Sequence, residues 1–124
     1  MLSITIKRIY EAPSKEDGFR ILIDRVCPRG VSKEQAKLDE WNKNIAPSMA
    51  LRKWFDHREE RFKEFARRYE SELSDAQEDL EHIRHIAKNK KVCLLYGAKD
   101  EEFNQAVVLQ RILKYKQVTK VCQK

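Results

Sequence analysis

Little in this 124-residue sequence can bend the backbone sharply or staple it: there are three glycines, three prolines and three cysteines. Cys27, Cys93 and Cys122 are odd in number and widely spaced, with no Cys-x-x-Cys and no Cys/His cluster. That excludes a disulfide scaffold and a structural zinc site. No apolar run approaches the ~20 residues a membrane helix needs, so no membrane partner is expected. The first residues run straight into a strand pattern without a charged leader or cleavage site, and the expected location is cytoplasmic. A Walker loop, a Gly-x-Gly-x-x-Gly turn and a His-Glu-x-x-His pair are all missing. Nothing calls for a metal or a cofactor. Without repeats, linkers or low-complexity stretches, residues 1–124 read as a single domain. Its core spans 1–115, and 116–124 form a tail or a short edge strand.

What the chain does have is charge. Lys and Arg number 26 against 20 Asp and Glu, a net charge of +6. Such a balance tolerates anions. The basic residues are nevertheless interleaved with acidic ones, whereas nucleic-acid binders concentrate theirs on one face. A small anionic ligand is therefore the expected partner, ahead of a nucleic acid. The residues set no oligomeric state.

The stretch Arg20 to Gly30 organises the rest. Ile21, Leu22 and Ile23 read as a buried strand, and the segment Phe19–Arg25 as the second strand of the fold. The chain then passes through Asp24, Arg25 and Arg29 on a backbone made irregular by Pro28 and Gly30. A strand ending in charges and a turn is how α/β proteins present a site at a sheet's carboxyl edge. Before it, Ile4–Tyr10 alternates as a half-covered strand, and the turn cluster from Glu11 to Gly18 leaves hairpin and looped parallel crossover both open.

Beyond it, Ser32 and Gln35 form a capping box for a short helix to about Asp39. Residues 40–47 are irregular, with Trp41 and Ile45 as anchors. Ser48 caps a helix carrying Leu51, Trp54 and Phe55. Glu59–Leu73 is the clearest amphipathic helix. Ser74 and Gln77 suggest a second capping box, opening a helix to about Asn89. Lys91–Tyr96 is a continuous apolar run of the kind found in central parallel strands. Gly97–Asp100 turns the chain, and Glu101–Tyr115 is helical. The expected fold class is α/β, a small, mainly parallel sheet of three or four strands flanked by helices.

Two turns carry candidate chemistry. The first holds Asp24, Arg25, Cys27 and Arg29; the second holds Tyr96, Lys99, Asp100 and Asn104. Each leads to a helix N-terminus, where unpaired N–H groups favour an anion. Asp24 and Asp100 are candidate bases and His57 a second acid–base group by residue type. A plainer role stands beside each: Asp24 and Arg25 as strand-end pairing groups, Asp100 as an N-cap, Tyr96 as a half-buried aromatic, His57 as an exposed or capping residue. His82 and His85 share a helix without a third ligand. Cys27 is a poor nucleophile candidate, because Lys33 occupies the place where a phosphatase-type loop needs arginine and Pro28 follows directly. Arg61, Arg67 and Arg68 are the cations a nucleic-acid surface would add.

Four blocks in order resemble the YeaO-like family of bacterial domains of unknown function. They are Asp24 to Ser32; Trp41 with Ile45-Ala46-Pro47-Ser48; Leu51 to Phe55 with His57, Phe65, Tyr69 and Glu72-Leu73; and Leu94-Leu95-Tyr96 with Ala98-Lys99-Asp100, Asn104 and Ala106. The resemblance implies a small bacterial α/β domain and carries no activity. It also implies tryptophan at position 27 and histidine at position 105, where this chain has Cys27 and Gln105. The polar residues of those blocks fall at element ends, and ordering them needs mutual partners or a ligand. The resulting expectation is one pocket in which Arg25, Arg29, Arg52 and Lys99 hold an anion, with Tyr96 and Asn104 beside them. The function expected of it is that of an enzyme or a binder of a small phosphate- or carboxylate-bearing ligand. The alternatives are a structural or interaction domain whose polar set is an internal salt-bridge network, and a nucleotide- or nucleic-acid-binding accessory protein.

Overall fold

The computed structural model describes residues 2–115; the expected tail strand and Cys122 lie outside them. Four strands, β1 (Ile4–Arg8), β2 (Phe19–Leu22), β3 (Glu40–Trp41) and β4 (Val92–Tyr96), form one sheet in the order β1-β4-β2-β3. Every pairing is parallel, with Ile6 and Ile21 both opposite Leu94. The first connection is thus the looped crossover and not the hairpin, since β1 and β2 sit on either side of β4. Five helices accompany the sheet: α1 (Lys33–Ala36), α2 (Met49–Phe55), α3 (Phe62–Leu73), α4 (Gln77–Asn89) and α5 (Gln105–Tyr115). The fold is α/β, as the alternation of apolar runs requires.

The central strand is apolar on both sides because both sides are covered. Val92, Leu94 and Tyr96 join Ile4, Ile21 and Ile23 in the larger core, against Phe55, Phe65, Tyr69, Leu80, Ile83 and Leu109 of the helices. Cys93 and Leu95 face the other way, with Ile9, Leu22 and Ala36. That second face also carries a polar cluster. Arg20, only 3 % exposed, donates through Nε to the Ala36 carbonyl at 2.8 Å and through Nη1 to Asp17, which also pairs with Lys7 at 3.1 Å.

Several element ends differ from their sequence reading. The second strand stops at Leu22, although the Ile23 N–H still donates to the Leu95 carbonyl at 3.0 Å. Residues 40–41, expected to be irregular, pair as an edge strand with β2. The Ser32 capping box forms as expected. The one at Ser74 does not, because Ser74 keeps right-handed helical angles at the end of α3 and its hydroxyl turns back to the Ser71 carbonyl. An N-cap needs an extended backbone. The last helix begins at Gln105 and not at Glu101, with the Asn104 side chain accepting the Val107 N–H at 3.1 Å.

Segment 42–48 matters most for the site, because it fixes where α2 starts. Arg25 donates to the Ala46 and Pro47 carbonyls, both at 3.1 Å, and the Tyr69 hydroxyl donates to the Ile45 carbonyl. Glu72 accepts the Ser48 N–H at 2.9 Å and its hydroxyl at 2.6 Å, while Ser48 Oγ caps the Leu51 N–H. Glu72→Ala is expected to cost about 2 kcal/mol in urea denaturation, since it strands a half-buried donor pair. A variant as stable as the parent would remove this clamp from the account.

Candidate functional site

β2 and β4 are neighbours, so their carboxyl ends deliver both candidate turns to the same edge of the sheet. The join is direct. The Gly97 N–H donates to Asp24 Oδ2 at 3.0 Å, and Gln105 Nε2 donates to Asp24 Oδ1. A Cβ on Gly97 would stand 2.9 Å from that carboxylate and 3.0 Å from Pro28, so only glycine lets the turns approach this closely. Above the join opens a cleft of about 800 Å³, a size suited to a small organic ligand.

Asp24, Asn104 and Gln105 line this cleft, together with Cys27 and Arg29 of the first turn and Lys99 of the second. One side is α2 and the residues just past it: Met49, Arg52, Lys53, Asp56 and His57. Asp56 and His57 both take left-handed backbone angles (φ 50° and 53°). Two such residues in succession, neither a glycine, are uncommon and turn the chain around the cleft. Tyr10 completes the rim, its hydroxyl donating to the Arg29 carbonyl at 2.9 Å and so tying the first turn to the end of β1.

Of the residues expected to meet, the structure brings Asp24, Arg29, Arg52, His57, Lys99 and Asn104 to one cleft. Three go elsewhere. Arg25 is committed to the Ala46 and Pro47 carbonyls. Tyr96 is buried in the larger core and does not line the cleft, and burial pushes its phenol up. Asp100 is exposed, and its carboxylate accepts the Phe103 and Glu102 N–H groups, which hold it below the usual carboxylate range. The first N–H groups after the second turn are therefore taken by Asp100 and Asn104. The expected anion cradle there is filled by the protein's own side chains.

Lys53, Asp56 and Tyr10 line the cleft without having been singled out from sequence, and Gln105, noted there only as a departure from the family pattern, lines it too. For Lys53 and Asp56 a signal exists: Leu51 and Phe55 face the core, which leaves Arg52, Lys53 and Asp56 on the other side.

Electrostatically the cleft is cationic with one half-buried acid. Arg29, Arg52, Lys53 and Lys99 line it against Asp24 and Asp56. Among the described residues none of the four cations is in an ion pair with a carboxylate. Burial raises the Asp24 carboxyl to about 6, against the lowering effects of the Gly97 N–H, the Arg52 charge and the Gln105 amide. No group of three or more His, Cys, Asp or Glu among the described residues is placed to hold a metal ion. No helix among them is long and apolar enough to cross a membrane.

Fold and cleft together define a parallel α/β domain with a cationic hollow at the carboxyl edge of its sheet. By sequence the chain belongs to the inactive DUF488-N3 subclade, which it matches over residues 3–122. It is 40 % identical over 108 residues to the uncharacterized protein YeaO of Escherichia coli, covering 87 % of this chain and 94 % of that one. To the uncharacterized protein Rv3073c of Mycobacterium tuberculosis it is 36 % identical over 110 residues, 89 % and 92 % of the two chains. No solved structure matches it.

Proposed function

We propose that this domain binds a small phosphate- or carboxylate-bearing ligand in the cleft and does not turn it over. The observation that carries the reading is the gathering of Arg29, Arg52, Lys53 and Lys99 around one hollow without ion-pair partners among the described residues. Unpaired cations converging from separate segments repel one another, and an anion relieves that repulsion. Arginine adds a planar fork suited to phosphate or carboxylate. Two features favour binding over catalysis. The subclade is described as inactive, and the side chain on Asp24 is the amide of Gln105, which has no titratable proton to relay.

A nucleic-acid surface is less well supported. Arg67 and Arg68 are paired with Glu64 at 2.6 and 2.8 Å, and Arg61 and Arg68 lie over the Trp54 ring at 5.4 and 4.2 Å. Those cations already have partners on the helix surface.

The test is a thermal-shift and calorimetric panel of phosphates, nucleotides and carboxylates at low salt. At least one class is expected to raise the melting temperature. The Arg52→Met/Lys99→Met double variant is expected to lose about tenfold or more in affinity, the range for removing charged hydrogen bonds. A panel without a hit, or a hit the double variant binds equally well, would end the proposal.

A further inference from the structure

Four large apolar side chains are exposed among the described residues: Tyr10 (47 %), Val26 (51 %), Met49 (51 %) and Tyr115 (68 %). Three of the four line the cleft. They reach it from three separate segments, the end of β1, the first turn and the first residue of α2. Behind them, Phe55 and Phe103 add aromatic wall to the same hollow. Apolar groups scattered singly over a surface need no explanation, whereas apolar groups gathered at one opening mark a binding site. An inorganic ion would leave that surface in water, so the cations account for only half of the cleft.

We infer that the ligand is an amphipathic organic anion, a flat apolar or aromatic body bearing a phosphate or carboxylate. This inference rests on the anion-binding reading and adds to it the nature of the ligand's other end. The head group meets Arg52 and Lys99, and the body lies between Tyr10, Val26 and Met49. The cleft has room for both parts, at about 800 Å³. Tyr10 suits the role of a fixed platform: its hydroxyl is tethered to the Arg29 carbonyl, and the Arg8 guanidinium covers one part of its ring at 4.9 Å from the centroid. A ring held at both places loses little freedom when a ligand stacks on it.

The experiment compares phenyl phosphate with inorganic phosphate, and benzoate with acetate, by calorimetry on the full chain. The aryl member of the preferred pair is expected to bind about tenfold tighter than its small counterpart, a modest yield for burying one ring after binding costs. The two pairs separate a phosphate head from a carboxylate head. Met49→Ser, at an exposed position, is expected to remove most of that preference, read as the ratio of aryl to small-anion affinity within the variant. If small and aryl anions bind equally, this inference fails and the anion-binding reading stands; if none of the four binds, both fail. Self-association in sedimentation equilibrium that Met49→Ser abolishes would assign the apolar rim to a second copy of the chain and overturn the inference.

Discussion

Asp17→Asn is expected to lower the unfolding free energy by about 3–5 kcal/mol, the range for removing one partner of a buried ion pair. The reason is the company Asp17 keeps. Its carboxylate receives Arg20 Nη1, Lys7 Nζ at 3.1 Å and the Ser14 N–H at 3.0 Å. The Arg20 side chain is only 4 % exposed, and its Nη2 has no hydrogen-bond partner among the described residues. With asparagine at 17 the guanidinium keeps the amide oxygen and the Ala36 carbonyl as acceptors but stays buried without the carboxylate's charge. A companion Asp17→Asn/Arg20→Met variant is expected to recover part of the loss, because it removes the stranded charge as well as its partner. Urea denaturation of the single variant and the pair decides the matter. A single variant within about 1 kcal/mol of the parent would put the cluster in the class of surface pairs. The pH dependence gives a second check. Burial pushes the Asp17 carboxyl up, but the Ser14 N–H, Lys7 and Arg20 outweigh it and hold it below its ordinary value. Its stabilisation is thus complete above the carboxylate's unfolded pKa and is lost as pH falls through the lower folded value.

This cluster also shows where sequence reading stops. The strand from Phe19 was legible because Ile21, Leu22 and Ile23 form an apolar run, and the central strand because Val92 to Tyr96 do. Arg20 gave no sign of being buried, since burial depends on Asp17 and Ala36 arriving from the same side of the sheet. Only the sheet order determines that. The same holds at the site. That Asp24 and Lys99 would lie near one hollow followed from two strand ends and the habit of α/β sheets. That Arg25 would turn instead to the Ala46 and Pro47 carbonyls did not, because nothing local distinguishes its guanidinium from that of Arg29. Charged residues one turn apart look alike in sequence and part company only when a neighbouring segment offers one of them an acceptor.

Segment 42–48 is thereby more than a connecting loop, because it sets where α2 begins. Arg25 from the turn after β2 and Tyr69 and Glu72 from α3 fix it, and its last residue caps α2. The cleft-facing residues of α2 are placed by that clamp. Residues that touch no ligand, Arg25 and Glu72 among them, are therefore expected to influence binding through the position of Arg52.

Asp24→Asn is expected to raise stability at pH 8 by about 3 kcal/mol, and the gain should vanish below about pH 4. The sign follows from the direction of the shift. Burial raises the folded carboxyl to about 6, above its ordinary value of 3.8. Between those values the folded protein holds a proton that the unfolded chain has released. Stability from this group is thus fully present below the unfolded pKa and is lost as pH rises through about 6. Asparagine has no charge to desolvate and keeps an oxygen for the Gly97 N–H, while Gln105 can turn its own carbonyl toward the new amide. The other groups acting around it are Arg52 on α2 and the buried Tyr69 phenol on α3, with His57 also lining the cleft. All of these persist in the variant, so the difference between the two proteins, measured by urea denaturation across pH 4–8, isolates Asp24. A flat difference, or a variant less stable at pH 8, would show that the carboxylate is not held against its charge. Binding gives the same group a second readout. An ionised Asp24 beneath a bound anion is repulsive, so the parent's affinity for the ligand should rise as pH falls through about 6. In Asp24→Asn that part of the rise should disappear.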